Sequence, residues 1–400
     1  MPATLSPQIA ATLADAVYNV RLEPDVRRAV LMDYADQRAL SATDDDSARA
    51  ASDLVTEIAD EFELQTRAVS GLSGVIGTRK ESGYAMVLHG RGRRRGEVAV
   101  VFRGTQTAVD WLSNANYRGT SGPFGGMVHT GFYDIFRSME REVMRQVQAA
   151  NPSHLHVVGH SLGGAIGHLF AGRCAERNLA TVELYSFGAP RSGADHFVGS
   201  LSRLIGAQNM RRVFAQNDPV PMVPIWPYIH APLAGDGLQV AGRSGIISFD
   251  AHLMPHYIQQ VANLDWTRLA SAYTPPQQQT LREMLDEARR QSIFPLSSLA
   301  LRALEIILLM AGVTVAATVA TGVTLVDMMA RALVQVATVS AEYAGYAMEI
   351  IRLAARVVGL RLAAGLRELS IQLVSFVLDM LFRAIANVAR RALDEVGRLR

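Results

Sequence analysis

The chain has 400 residues, 49% of them apolar and 19% charged, with a formal net charge of +2. That is enough apolar material for a large buried core and for more than one domain. Neither the charged fraction nor the net charge suggests a nucleic-acid partner, for which a concentrated basic patch is expected. Positive charge comes almost entirely from arginine, with Lys80 the single lysine. The one cysteine, Cys174, rules out an internal disulfide framework. Met1–Val20 has no positive segment followed by an apolar run, so the sequence reads without a classical signal peptide. The expected location is therefore cytoplasmic or membrane-associated, or outside the cell by a non-classical route.

In chain order, Tyr84–Gly90 and Glu97–Arg103 are short, mostly apolar runs bounded by glycine. They predict a hairpin joined by the basic turn Gly92–Gly96. Val128–Ala150 has the period of an amphipathic helix, His154–Val158 is a short apolar strand, and Leu162–Asn178 reads as a helix. Val182–Phe187 and Met210–Ala215 are further buried strands. Strands alternating with helices imply an α/β fold, a mostly parallel sheet covered on both faces. Composition then shifts. Ala270–Thr280 contains Thr274-Pro-Pro-Gln-Gln-Gln, which reads as a linker, and Pro295 is the last proline. The expected organisation is an α/β domain over 1–272 and an all-helical region over 273–400.

Within that region Ile306–Val326 carries no charge, a length that spans a bilayer as a helix. Thr314, Thr318 and Thr321 share one helical face, which suits packing between membrane helices or inside a soluble bundle. Ile371, Val374, Leu378, Leu381, Ile385 and Val388 recur at spacings of three and four, a short heptad seam. Arg352, Arg356, Arg383, Arg390 and Arg391 are candidates for lipid headgroup contact or for a solvated face. The stretch 296–400 is thus open to two readings, membrane contact and self-association.

Gly159-His160-Ser161-Leu162-Gly163 fits the pattern G-x-S-x-G, with a strand running in and a helix running out. That is the setting of a nucleophile elbow, a strained turn that exposes a serine at the carboxyl edge of a sheet. Its flanking positions must lack side chains, as Gly159 and Gly163 do. The segment Gly159–Gly164, GHSLGG, resembles the elbow of the class 3 lipases, the fungal-lipase-like branch of the α/β-hydrolases. Val100-Val-Phe-Arg-Gly-Thr105, Asp110-Trp111, His129-Thr-Gly-Phe132, Ser186-Phe-Gly-Ala-Pro-Arg191 and Asp218-Pro-Val-Pro221 resemble that family's other segments in the same order. The resemblance runs from about Leu13 to Leu269 and leaves the C-terminal third untouched.

A serine hydroxyl needs a base, and the base needs an orienting acid. In this fold they follow in the order Ser, Asp, His. Asp218 follows the apolar run Met210–Ala215, and Pro219 holds it extended. Asp195, Asp236 and Asp250 are weaker alternatives. The family pattern puts the histidine five residues before a tyrosine, which implies His252 before Tyr257. His256, beyond Pro255, reads instead as a solvent-facing or capping residue, and His230 as structural. His154, His156 and His168 are packed or surface residues. The oxyanion donors implied are the backbone N–H of Leu162 and the N–H of Thr105, whose hydroxyl adds a further bond.

By the same resemblance Ala108–Leu112, with Trp111, is where a lid lies. Met222–Tyr228 is an unusually apolar loop suited to an acyl pocket or a membrane. The reading is a serine ester hydrolase of lipase or phospholipase type, with a lipid substrate and no call for a cofactor or metal. An acyltransferase or thioesterase would use the same three residues. A membrane-acting protein with a relic hydrolase domain is the non-catalytic alternative.

Overall fold

The computed structural model describes residues 4–19, 28–30, 56–63, 65–73, 80–104, 119–224, 227–233, 237–243, 248, 250–272, 325–363 and 368–398. The first helix is α1 (Pro7–Ala16), capped by Ser6, whose hydroxyl accepts the Ile9 N–H. The strands β1 (Arg28–Val30), β2 (Gln65–Ser73), β3 (Lys80–His89) and β4 (Glu97–Phe102) pair antiparallel in sequence order. The β3–β4 pair is the expected hairpin, entered earlier in the chain than the apolar run alone indicated. Then follow β5 (Gly119–Ser121), β6 (Met127–His129), α2 (Thr130–Ala150), β7 (His154–His160), α3 (Leu162–Glu176) and β8 (Thr181–Phe187). The chain continues through β9 (Gly193–Ala194), α4 (Asp195–Ile205), β10 (Met210–Ala215), β11 (Tyr228–Ile229), β12 (Leu238–Val240), α5 (Met254–Val261) and α6 (Trp266–Ala272).

Among the described residues β4, β7, β8, β10 and β12 lie side by side and parallel, continuing the antiparallel part in the order β1-β2-β3-β4-β7-β8-β10-β12. This is an α/β-hydrolase arrangement. Alternation along the strands feeds two cores. Val98, Val100 and Phe102 of β4 and Leu155 and Val157 of β7 pack with α2, α3 and α4. Ala99, Val101 and Val158 point the other way, onto α1 and α5. With both faces covered, the strands read as continuous apolar runs. Each large aliphatic side chain so buried contributes roughly 1.5–3 kcal/mol.

One expectation changes. Val128 and His129 are not helical; they form β6, which pairs with β5 and β9 in a small second sheet. The apolar period carries through that boundary, but the His129 N–H donates to Ser192 O at 3.1 Å and commits the residue to a strand ladder.

Among the described residues the C-terminal region contributes α7 (Leu325–Ala337), α8 (Ala341–Val357) and α9 (Ile371–Arg398). Ser340 caps α8, accepting the Tyr343 N–H. The seam residues Val374, Leu378, Leu381 and Ile385 are buried against Met329, Leu333, Ile350 and Ile351. The seam is therefore the inside of a packed bundle, and Ser375 Oγ donates to Asp327 Oδ1 across it at 3.0 Å. No described helix is long and apolar enough to cross a membrane. The linker 274–279 and the uncharged stretch 306–324 lie outside the described residues.

At the amino edge of the parallel strands sits a buried polar network. Arg94 pairs with Glu61 and, at 3.0 Å, with Glu97. His156 Nε2 donates to Glu97 at 2.9 Å, and its Nδ1 lies 3.3 Å from Glu183. Glu183 also accepts from Tyr185 (2.6 Å) and Thr4 (2.8 Å). Burial pushes the Glu183 carboxyl up. Hydrogen bonds from His156, Tyr185 and Thr4, with the Arg211 charge, outweigh it and hold the group down at about 2. A carboxylate depressed below its ordinary 4.5 adds stability above that value and loses it as pH falls from 4.5 toward 2. In urea titrations Glu183→Gln is therefore less stable than wild type at pH 7, and the gap closes across that acidic window. Parallel pH curves for the two proteins would remove Glu183 from the account.

Candidate active site

The strand β7 ends at His160 and α3 begins at Leu162, leaving Ser161 alone in the turn. Its backbone is in a positive-φ conformation (φ 56°, ψ −133°), which side chains rarely adopt. The turn persists because its neighbours over-determine it. Ser161 N–H donates to Phe187 O at 2.9 Å, and Gly164 N–H to Ser161 O at 2.9 Å. A Cβ on Gly159 would overlap the Gly163 carbonyl, and one on Gly163 would overlap that of Phe102. Glycine at both positions lets the helix start against the strand ends. Ser161 thus stands at the carboxyl edge of the sheet, at the positive end of α3.

The segments after two other parallel strands deliver the remaining groups. Asp218 follows β10, and His252 closes a short 3-10 turn, Asp250–His252, after β12. His252 Nδ1 donates to Asp218 Oδ2 at 2.8 Å, and His252 Nε2 lies 3.0 Å from Ser161 Oγ. The carboxylate only accepts, so Nδ1 carries hydrogen and Nε2 is free to take the serine proton. All three side chains are buried. The structure therefore brings Ser161, His252 and Asp218 into one hydrogen-bonded line.

Around this line are residues that pattern reading passed over. Tyr257, used in the sequence only as a spacing mark, donates to Asp218 Oδ2 at 2.6 Å and accepts the Ala215 N–H at 3.0 Å. Burial, and then the Asp218 charge, hold the Tyr257 hydroxyl well above the usual phenol range, so it stays a donor. The backbone N–H of Val220 gives Asp218 Oδ1 a further bond at 2.9 Å. Gly188 closes over the same spot with φ +55°. A Cβ there would lie 2.7 Å from Asp218 Oδ2 and 2.9 Å from the Tyr257 hydroxyl. His160 holds the His252 backbone from beneath. Its Nε2 donates to His252 O at 2.8 Å, which leaves Nδ1 to accept from the Tyr18 hydroxyl at 2.7 Å. The G-x-S-x-G pattern leaves its second position open, so no signal marked His160.

The other candidates fall elsewhere. His256 is buried, not solvent-facing: its Nε2 donates to Ala241 O at 2.8 Å and its Nδ1 accepts from Arg243 Nε at 3.1 Å. Burial lowers its affinity for a proton. The turn of the helix that carries His256 packs inward under β12, which sequence spacing does not reveal. His168 sits on α3 at 2.9 Å from Ser192 Oγ, and burial followed by the Arg212 charge pushes it down to about 4. His154 starts β7, and His156 belongs to the polar network already described. His230 lies 3.4 Å from Arg191 Nε, held neutral first by burial and then by the Arg212 and Arg191 charges. Asp195 opens α4, where Oδ1 accepts the His196 N–H, and Asp250 is exposed.

Leu162 begins α3 with its backbone beside Ser161. Gly104 abuts the site; a Cβ on it would lie 3.1 Å from Ser161 Cβ. Thr105, the next residue, and the stretch 108–112 with Trp111 lie outside the described residues, as does Asp236. Of the apolar loop 222–228, Met222 and Val223 are buried in the core of the helical bundle and so are covered by protein. No group of His, Cys, Asp or Glu among the described residues gathers in a way that could hold a metal ion.

Residues 99–228 match the class 3 lipase family model. A secreted mono- and diacylglycerol lipase 1 from Fusarium solani is 33% identical over 159 residues, 38% of this chain and 46% of that protein. A secreted mono- and diacylglycerol lipase A from Penicillium cyclopium is 30% identical over 37% of this chain and 49% of its own length. The chloroplastic phospholipase A(1) DAD1 of Arabidopsis thaliana is 28% identical over 42% and 40% respectively. The chain thus spans about half the length of the curated relatives it matches. A crystal structure of a lipase from Rhizopus microsporus var. chinensis aligns over 60% of this chain and 76% of its own, at 19% identity and a TM-score of 0.39.

Replacing Tyr257 with phenylalanine strands a buried N–H at Ala215 and takes a donor from Asp218. The expected cost is about 1–3 kcal/mol, read from the urea midpoint. An unchanged midpoint would show that the hydroxyl is not part of the network.

Proposed function

We propose that this chain, whose residues 99–228 match the class 3 lipase family model, is a serine carboxylic-ester hydrolase acting on lipid esters. One observation carries the proposal: Ser161 Oγ, His252 and Asp218 form a continuous relay of 3.0 and 2.8 Å contacts at the carboxyl edge of the sheet. A hydroxyl in that setting loses its proton as it attacks, because the base is already aligned and in the right tautomer.

In this mechanism Ser161 Oγ attacks the ester carbonyl carbon while His252 Nε2 takes its proton. The carbonyl electrons move to oxygen, where the Leu162 N–H and the Thr105 N–H and hydroxyl hold the charge. Collapse of the tetrahedral species breaks the ester C–O bond, and His252 returns its proton to the departing alcohol. Water then adds to the acyl-enzyme with His252 again as base, which releases the acid and restores Ser161. Asp218 holds the Nδ1 proton throughout and steadies the imidazolium. Support for a lipid substrate comes from the names of the relatives, which describe mono- and diacylglycerol lipases and a phospholipase A(1).

Ser161→Ala lowers turnover of a monoacylglycerol or p-nitrophenyl ester by roughly 10³-fold or more. A loss under about tenfold would sink the proposal. His252→Ala matches Ser161→Ala, whereas His256→Ala keeps turnover within about tenfold of wild type, since it removes no group from the relay. The reverse ranking would move the base to His256. Comparing product release from diacylglycerol and from phosphatidylcholine vesicles then names the ester.

A further inference from the structure

We propose that the C-terminal helical bundle positions the carboxylate of Asp218, acting through Val220; this rests on the hydrolase reading above. The short turn Val220–Met222 has two sides. Its backbone serves the site, since the Val220 N–H donates to Asp218 Oδ1 at 2.9 Å. Its side chains serve another part of the protein. Val220 is 1% exposed and, with Met222 and Val223, is buried in the core formed by α7, α8 and α9, not in either core of the α/β sheet. Helix α9 lies directly against the turn.

Stiffness carries the effect from one side to the other. Pro219 and Pro221 flank Val220 and fix two of the backbone torsions around it. The Arg191 N–H donates to Val223 O at 3.0 Å, which ties the far end of the turn to the chain leaving Gly188. The turn therefore moves as a unit, and its side chains rest on helices that lie beyond the family match at 99–228. Oδ2 is held from the α/β domain by His252 and Tyr257, whereas Oδ1 is held by a turn seated on the bundle. Loosening that seat lets the carboxylate swing about its Cα–Cβ bond and carries Oδ2 off the line to His252 Nδ1. Val220 is thus a positioning residue, and the bundle is the surface it works from.

The test uses the full chain. Val220→Ala keeps the backbone N–H and removes the methyl groups that seat the turn. Leu378→Ala and Leu381→Ala trim α9 inside the same core. On a soluble short-chain p-nitrophenyl ester, well below each Tm, kcat falls about 10–100-fold in each variant. KM stays within about twofold, because the ester's binding contacts are untouched. Val220→Ile, which keeps the anchor, retains the wild-type kcat. The Val220→Ala and Leu381→Ala effects on kcat are less than additive, as expected for two changes within one packed core. If the α9 variants lower Tm but leave kcat unchanged, the bundle is a passive neighbour and the proposal is overturned. Ser161→Ala separates the two levels. Activity that survives it removes the hydrolase reading itself. Activity lost there but intact in Val220→Ala removes the positioning role alone.

Discussion

A carboxylate with no access to water must find its hydrogen bonds in the protein, and Asp218 is such a group. Its donors come from three separate places. His252 arrives from the loop after β12, Tyr257 from α5, and the Val220 N–H from a turn seated on the C-terminal bundle. Meeting that single demand joins the end of one strand, the last helices of the α/β domain and the helical region into one assembly. Gly188 shows how close the packing is, for no side chain fits between the carboxylate and the hydroxyl that serves it.

The serine side of the site answers to a different constraint. Ser161 is held at φ 56° by an elbow whose glycines let α3 start against the ends of β4 and β7. Strain of order 1–3 kcal/mol is sustainable there because the parallel strands around it are buried on both faces and cannot relax. His160 uses the same rigidity. From the last position of β7 it reaches under the site to the backbone of His252, so the elbow that holds Ser161 also ties down His252. Ser161 and Asp218 follow the ends of parallel strands β7 and β10, and His252 comes from the loop beyond β12, so the sheet sets where the three groups meet.

The C-terminal region takes on a definite role in this picture. A seam with a heptad-like period fits a membrane-facing helix, an oligomer contact or an internal bundle equally well. Packing against Met329, Leu333 and Ile350 makes it the last of these over the described helices. Met222 and Val223, apolar enough to imply contact with lipid, instead find their apolar partners within the same chain.

The sequence by itself marked most of the described strands and helices and the order of the candidate site residues. Residue alternation in β4 and β7, the glycines around Ser161 and the proline after Asp218 are local facts, and local geometry follows from them. His252 was marked by its distance from Tyr257, a regularity of the family, not a physical derivation. Only the tertiary structure decided which side chains meet: Tyr257 on Asp218, Tyr18 on His160, His256 folded inward on Arg243, and Val220 turned toward the bundle. The reason is physical. A hydrogen bond between residues 39 or 142 positions apart leaves no trace in spacing or composition, because it depends on where whole strands and helices come to rest. The same holds for the apolar turn after Asp218. Its hydrophobicity is plain in the sequence, but the identity of what covers it was set by the packing of α9.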